Sequence, residues 1–207
     1  MTHYFTDNSD LEKDEKKFPL LFEDKTYTFI TYSGVFSKNK VDYGSYALLK
    51  VLVNQDLGAR ILDLGCGYGP IGIVLKSYNK SSDVDMIDVN PRAVELAKLN
   101  SQENKLEINS FVSDLYSNVT RQYNSIVTNP PIRTGKENIY KIFTEAYDYL
   151  MDNGNLFVVI RKQQGAKTTI TKLIEIFGNC EVLKKDKGYY ILKSKKGWQT
   201  VNSLIVY

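Results

Sequence analysis

The sequence is poor in the residues that build metal centres and nucleophilic catalytic sites. Its 207 residues include two cysteines, Cys66 and Cys180, and one histidine, His3. Two cysteines cannot form a disulfide framework or a multi-cysteine zinc site, so no metal is expected and a reducing cytoplasm is the expected location. The single histidine lies in a polar N-terminal segment, which argues against Ser-His triads, Cys-His dyads and histidine-ligated metals.

Long apolar segments are also missing. No run of about 18 apolar residues is present, so no membrane span is expected. The polar, acidic N-terminus lacks the apolar core of a secretory signal. A composition of 43% hydrophobic and 25% charged residues excludes disorder over the whole chain. The length favours one domain, with at most a small appendage, at roughly 150 residues per domain.

Charge is unevenly distributed along a chain whose formal net charge is +3. Residues 7–15 hold five acids and one lysine, whereas residues 184–196 hold six lysines and one aspartate. A basic surface region fits a polyanionic partner such as nucleic acid. A solvated lysine-rich face is the alternative interpretation of the same run.

Strands and helices are predicted to alternate from residue 60 onward, which is typical of a parallel sheet covered by helices on both faces. Strands are predicted at 61–64, 84–89, 108–112, 125–128 and 156–160, and helices at 71–78, from 91, at 138–150 and at 168–177. A hairpin over 182–193 should add an antiparallel edge. The fold class is therefore a doubly wound, mostly parallel seven-stranded α/β sheet with an N-terminal β appendage.

The predicted organisation is one domain with short additions at both ends. Residues 1–17 are expected to be a flexible arm, and residues 18–57 a β unit followed by a helix over 43–57. Residues 58–196 form the main domain, and residues 197–207 a C-terminal tail.

Three glycines follow the first predicted strand of the main domain, at Gly65, Gly67 and Gly69. Glycines there let the backbone turn sharply and approach a ligand at the carboxyl end of a strand, where open α/β sheets bind ligands. The spacing is G-x-G-x-G, whereas the dinucleotide fingerprint is G-x-G-x-x-G. Asp63 precedes the loop, and its carboxylate suits a cationic or amino-bearing ligand better than a pyrophosphate.

Two further acids end the next two predicted strands. Asp88 lies 19 residues after Gly69, where an acid accepts hydrogen bonds from both hydroxyls of a ribose. Asp114 ends the third strand and is placed to accept from an adenine amino group, with Leu115 against the ring. The alternative for each is a solvated acid at the end of a strand.

The sequence Asn129-Pro130-Pro131 follows another buried strand. Each of the two prolines fixes its own φ angle and lacks a backbone N–H donor, so the loop is stiff. The Asn129 side chain and the Pro130 carbonyl form a rigid pair of acceptors, which can orient an NH2 group toward an electrophile. Acceptors that stabilise the charge developing on that nitrogen lower the barrier, and no strong general base is needed.

These motifs together resemble the class I S-adenosylmethionine-dependent methyltransferases, which have a Rossmann-like sheet. Segments 34–45 and 129–136 narrow the resemblance to small-subunit ribosomal RNA guanine-N2 methyltransferases, over about residues 3–196. The resemblance implies S-adenosylmethionine as the methyl donor, a guanine N2 of 16S ribosomal RNA as the acceptor, and the RNA or the small subunit as the partner. The implied cofactor contacts are Asp63, Gly65, Gly67, Gly69, Asp88, Val89, Asp114, Leu115 and Asn129. The implied catalytic positions are Asn129, Pro130, Pro131 and Ile132.

Two departures from that family affect RNA recognition. Ile132 stands where many amino methyltransferases have an aromatic residue that stacks on the target base, so stacking must be weaker or come from elsewhere, with Phe36 as the candidate. The longer members carry a second, duplicated domain, whereas a single domain is expected from this sequence, so their mode of RNA docking is not expected to carry over unchanged. The residues expected to contact RNA are Phe36, Arg133, Lys136, Lys184, Lys185 and Lys187.

Other functions remain open from the sequence. Adenine N6 and a protein glutamine amide also present an NH2 group that Asn129-Pro130-Pro131 would suit. A non-catalytic cofactor- or RNA-binding module has no need of that rigid acceptor pair. A dehydrogenase is disfavoured by the glycine spacing.

Overall fold

The structure is a computed structural model that describes residues 15–32, 40–130 and 135–197. Its centre is a seven-stranded sheet in the order β5-β4-β3-β6-β7-β9-β8. The first five strands in that order are parallel, and β9 pairs antiparallel with both β7 and β8. The strands are β3 Arg60–Leu64, β4 Asp83–Asp88, β5 Asn109–Val112, β6 Tyr123–Thr128, β7 Leu150–Arg161, β8 Glu181–Asp186 and β9 Tyr189–Lys195. The predicted fold class is confirmed.

Among the described residues, five α-helices cover the sheet, namely α1 Tyr43–Leu52, α2 Pro70–Tyr78, α3 Pro91–Glu103, α4 Lys136–Tyr149 and α5 Ala166–Phe177. Alternate residues of the central strands enter opposite cores. Ile61 and Val127 pack with α1, α2 and α3, whereas Leu62 and Ile126 pack with α4 and α5. Because both faces are covered, these strands carry apolar residues on both faces, as is usual for parallel strands.

The N-terminal β unit is a hairpin of β1 Glu15–Phe22 and β2 Lys25–Tyr32. Residues 15–17, which the sequence places in the arm, belong to β1 because their backbone pairs with residues 30–32. Two asparagines one turn apart fasten the hairpin to the main domain, one in the last turn of α3 and the other its C-cap residue. Asn100 bonds both backbone groups of Ile30, and Asn104 bonds both of Thr28.

Two elements differ in length from their predictions. Helix α1 ends at Leu52, five residues before the predicted end, because the chain continues as a turn in which Gln55 N donates to Leu52 O at 2.9 Å. Leu57 lies beyond the end of the helix but is still buried. Its apolar side chain therefore reflects burial in the core and not a position on the helix. Strand β7 has 12 residues, because pairing with β9 and an irregular register beside β6 extend it beyond 156–160.

Strand order reverses between β3 and β6, which lie side by side at the centre of the sheet. The crevice beyond the carboxyl ends of strands at such a reversal is the usual ligand site of open α/β sheets. The glycine loop follows β3 and the asparagine-proline sequence follows β6. Within the described ranges, no helix is both long and apolar enough to cross a membrane.

Candidate active site

The glycine loop runs from β3 into α2 in a conformation that depends on glycine. Gly65, Gly67 and Gly69 have φ values of 73°, 58° and 92°, a region that side chains with a Cβ rarely adopt. The amides of Gly65 and Cys66 both donate to Ile87 O in β4 at 2.9 Å. The loop is therefore fastened to β4, and the N-terminal end of α2 opens at the sheet edge.

Asp88 fastens the same loop through its side chain. Its Oδ2 accepts from Gly67 N and its Oδ1 accepts from Asn90 N, both at 2.9 Å. The residue is 4% exposed, so these two charged hydrogen bonds lie where water competes little. A carboxylate at the end of this strand is a strong acceptor of the kind that binds ribose hydroxyls in nucleotide-binding sheets.

Asp63 is fully buried beneath the first turn of α2. Its Oδ2 accepts from Gly72 N at 2.8 Å, whereas Oδ1 has no hydrogen-bond partner among the described residues. Burial raises the pKa of this carboxyl group to about 7, against the opposing effect of the Gly72 hydrogen bond. An unsatisfied buried acceptor beside a glycine loop fits a ligand that carries an ammonium group, as S-adenosylmethionine does.

The ends of β4 and β5 form an apolar step at the same edge. Val89 and Val112 are 38% and 39% exposed, which is unusual for large aliphatic side chains in this molecule. Leu115 has a positive φ of 49° and is held by Ser113 Oγ, which donates to its carbonyl at 2.8 Å. Asp114 beside it is exposed. An apolar step with an adjacent acid fits an adenine ring and its amino group.

Asn129 is held by the start of α1. Its Nδ2 donates to Asp42 Oδ1 at 3.1 Å and to Ser45 Oγ at 3.0 Å. Since a carboxylate only accepts, the amide must turn its NH2 toward Asp42. No described residue donates to Asn129 Oδ1, so this oxygen remains an acceptor at the sheet edge. Pro130 beside it is buried.

Asp42 and Ser45 were not among the predicted site residues. Asp42 is the N-cap of α1 and its Oδ1 accepts from Ser45 N at 3.1 Å. An aspartate just before an apolar helical pattern predicts that cap. The contact with Asn129, 87 and 84 residues away in the chain, has no local signal in the sequence.

Several predicted residues lie outside the described residues. These are Phe36, Pro131, Ile132 and Arg133, together with the side chain of Lys136, the first residue of α4.

The structure divides the basic run of residues 184–196 between two edges of the sheet. Arg161 pairs with Tyr189 at the carboxyl end of β7, so the β8–β9 turn with Lys187 lies at the edge that carries Asn129. Lys187 Nζ lies 4.7 Å from the ring centroid of Tyr43, at the start of α1. Lys195 pairs with Asn155 and belongs to the opposite edge.

Lys184 and Lys185 are exposed on β8, and Lys185 Nζ lies 5.0 Å from the ring centroid of Tyr190. Two basic residues that the sequence analysis missed stand beside the turn. Arg161 and Lys162 are exposed at the end of β7, and Lys162 N donates to Gly188 O at 2.8 Å. The signal would have been their position directly after an apolar strand.

A groove of about 930 Å³ lies elsewhere, at the amino ends of β4 and β5. Asp85 lines it and is bound by Tyr123, Arg121 and Asn109. None of the predicted site residues lines this groove. In the part of the chain that the structure describes, no three His, Cys, Asp or Glu side chains are grouped to hold a metal ion.

Comparison with known proteins places this geometry in a family. Residues 26–193 match the family described as Methyltransferase small domain. Uncharacterized protein YbxB of Bacillus subtilis is 43% identical over 197 residues, which are 94% of this chain and 98% of that protein. Ribosomal RNA small subunit methyltransferase C of Aliivibrio fischeri is 33% identical over 185 residues, 87% of this chain and 53% of that protein.

A solved structure shares the fold. The T. thermophilus 16S rRNA N2 G1207 methyltransferase, in complex with AdoMet and guanosine, superposes with a TM-score of 0.79 and 27% identity. The match covers 88% of this chain and 50% of that chain. The chain thus spans about half the length of the ribosomal RNA methyltransferases that it matches.

Proposed function

Because the chain belongs to the methyltransferase small domain family, we propose that it methylates the exocyclic N2 of a guanine in small-subunit ribosomal RNA. It is an S-adenosylmethionine-dependent methyltransferase with a Rossmann-like fold. The finer proposal rests on Asn129, whose NH2 is bound by Asp42 and Ser45 and whose carbonyl oxygen remains an acceptor. Two relatives at the level of sequence and structure are named as methyltransferases of small-subunit ribosomal RNA.

The acceptor chemistry follows from the nature of the target. The lone pair of a guanine amino group is delocalised into the ring, so the amine is a poor nucleophile. Asn129 Oδ1 and the Pro130 carbonyl accept its two N–H groups and turn the lone pair toward the methyl group. As positive charge develops on nitrogen, these preorganised dipoles stabilise it more than they stabilise the ground state.

The cofactor, when bound, supplies an electrophilic methyl group on a sulfonium sulfur. The glycine loop would hold its methionine end, with Asp63 as acceptor for the ammonium group. Asp88 would hold the ribose. Val89, Leu115 and Asp114 would hold the adenine, and the exposed Val112 would widen the apolar step beneath it.

RNA would dock along the basic residues at the carboxyl edge. Lys187, Arg161 and Lys162 lie there beside α1 and the end of β7. Lys184, Lys185, Lys136 and Arg133 would extend the surface, and Phe36 would contact the target base. Ribosomal RNA is an intracellular polyanion, so the proposed place of action is the cytoplasm.

The test is transfer of tritium from methyl-labelled S-adenosylmethionine to small subunits and naked 16S RNA from a strain that lacks the gene. Digestion to nucleosides should yield labelled N2-methylguanosine as the product. Labelled N6-methyladenosine would move the acceptor to adenine, and label in protein hydrolysates would move it to a glutamine amide. Cofactor binding without transfer to either fraction would leave a binding module.

A further inference from the structure

We infer that Asp42 and Ser45 are positioning residues that fix the orientation of the Asn129 amide and require an asparagine, and not an aspartate, at that position. The inference deepens the proposed function and rests on it, because the amide matters only if it binds a target amine. Neither residue needs to touch cofactor or RNA. Their action is on the side chain that does.

The two residues are presented by a rigid element. Helix α1 is anchored by Leu48, Leu49 and Leu52, all fully buried. Tyr43 at its first position donates to Asp186 Oδ2 at 2.8 Å, which ties the helix to the β8–β9 hairpin. Asp42 and Ser45 therefore keep their places when the target base arrives, and so does the amide that they bind.

The chemistry of the pair selects one of two amide orientations. An asparagine amide is nearly symmetric in shape, so rotation by 180° exchanges its oxygen and its NH2 at little steric cost. The rotated form would direct its oxygen at the Asp42 carboxylate, which cannot donate, and its NH2 at the incoming amine. Asp42 excludes that form, and Ser45 Oγ adds a second acceptor for the NH2 group.

The charge of Asp42 also limits what can occupy position 129. An aspartate there would bring two carboxylates to about the 3.1 Å that now separates Asn129 Nδ2 from Asp42 Oδ1. Two carboxylates at this distance do not both ionise readily, and the pKa of one is raised. Exchanging the two residues restores a donor and an acceptor, with the polarity of the bond reversed.

The experiment is a four-member cycle of wild type, Asn129→Asp, Asp42→Asn and the double variant. Single-turnover methyl transfer is measured on small subunits from a strain that lacks the gene, at saturating S-adenosylmethionine. Asn129→Asp should lose on the order of a hundred- to a thousandfold in rate, and the double variant should recover at least tenfold of that loss. Asp42→Asn keeps the helix cap, since asparagine caps as well as aspartate. It should lower the rate less than Asn129→Asp or the double variant does.

Thermal unfolding between pH 4 and pH 8 supplies a measurement that needs no RNA. In Asn129→Asp, repulsion raises a carboxyl pKa in the folded state above its unfolded value of roughly 3.9. Stability is therefore close to wild type below that pH, and the deficit in Tm opens as pH rises through the raised pKa. The double variant should show no such pH-dependent deficit.

Ser45→Ala tests the second acceptor. Loss of one neutral hydrogen bond should lower the single-turnover rate about two- to tenfold, with the cofactor Kd and the KM for subunits unchanged. Ser125→Ala is the matched control, because Ser125 is a buried serine at the opposite end of β6 whose Oγ donates to Leu57 O at 2.8 Å. It should lose stability without losing rate.

A wild-type rate in Asn129→Asp, with a Tm deficit that does not vary with pH, would overturn the inference. A Ser45→Ala rate no lower than that of Ser125→Ala would remove Ser45 from it. If wild type itself transfers no methyl group to RNA, the proposed function fails, and the pH dependence of Tm across the cycle still decides whether Asp42 faces position 129 as a charged acceptor.

Discussion

Two buried aspartates at opposite edges of the central sheet, Asp85 and Asp63, differ in how fully the fold satisfies their carboxylates. At the amino edge, Asp85 accepts from Tyr123 Oη at 2.6 Å, from Arg121 Nε at 2.9 Å and from Asn109 Nδ2 at 3.1 Å. At the carboxyl edge, Asp63 Oδ1 and Asn129 Oδ1 lack donors among the described residues. Buried acceptors are normally satisfied within the fold. An acceptor left over at the carboxyl edge, where open α/β sheets bind ligands, is therefore available to a donor on the ligand.

The largest effect is expected from Asn129→Ala. The substitution removes one acceptor for the target amine and leaves the glycine loop and Asp88 in place. We expect the single-turnover rate to fall on the order of a hundred- to a thousandfold, with cofactor affinity nearly unchanged because the main cofactor contacts lie on other strands. Near-normal turnover would mean that the carboxyl edge does not use this acceptor. Loss of cofactor binding would make the asparagine mainly structural.

The leftover acceptor of Asp63 should be visible in the pH dependence of stability. The pKa of Asp63 is raised to about 7 in the folded protein and is roughly 3.9 in the unfolded chain. The protonated form is therefore favoured by folding, so stability is full below pH about 4 and falls by a few kcal/mol as pH rises through 7.

Saturating S-adenosylmethionine should reduce this loss, because its ammonium group favours the charged carboxylate. Thermal unfolding of the protein from pH 5 to pH 8, with and without cofactor, checks both statements. In Asp63→Asn the contribution of this group to the slope should vanish. An unchanged slope in that variant would show that the acceptor does not titrate in the folded state.

Asp88→Ala should weaken S-adenosylmethionine binding roughly ten- to a hundredfold, the range for a hydrogen bond to a charged group. Part of that loss would come from the glycine loop, since Gly67 N would lose its acceptor. Asp114→Ala is the control, because the exposed Asp114 competes with water and should cost less. Calorimetric titration with the cofactor measures the affinity of both variants. If Asp88→Ala binds the cofactor as tightly as Asp114→Ala does, Asp88 does not belong to the site.

A substitution at the amino edge should lower stability without lowering the methyl-transfer rate. Tyr123→Phe removes a donor to the buried Asp85 and should lower the free energy of unfolding by about 1.5–3 kcal/mol. The methyl-transfer rate, measured well below the Tm of the variant, should not change. A rate that falls along with stability would show that the two edges are coupled and do not have separate roles.

The sequence predicts the fold and the chemistry-bearing positions well because their signals are local. The glycines, Asp88 and Asn129 each follow an apolar strand, and parallel strands bring their carboxyl ends to one edge. What holds these residues is not local. The bonds from Asn129 to Asp42 and Ser45 join positions 87 and 84 residues apart, so composition and periodicity contain no trace of them.

The basic run illustrates the same limit on a larger scale. Counting charges along the sequence treats residues 184–196 as one patch, but these residues form a hairpin whose two ends lie at opposite edges of the sheet. The antiparallel pairing of β9 with β7 sends Lys187 to one edge of the sheet and Lys195 to the other. Arg161 and Lys162 join Lys187 only through that pairing.

The smallest effect is expected from single lysines of that hairpin. One lysine at each edge of the sheet can be substituted and the two variants compared. Lys187 and Lys195 are both exposed and differ chiefly in the edge at which they lie. Lys187→Ala should reduce the magnitude of the slope of log K for RNA binding against log salt concentration by roughly 0.7–0.9, the value for one phosphate contact. Lys195→Ala should leave the slope unchanged. Filter binding of 16S RNA over a range of salt concentrations measures both. Equal slopes for the two variants would mean that RNA does not distinguish the edges and that the lysines form only a solvated face.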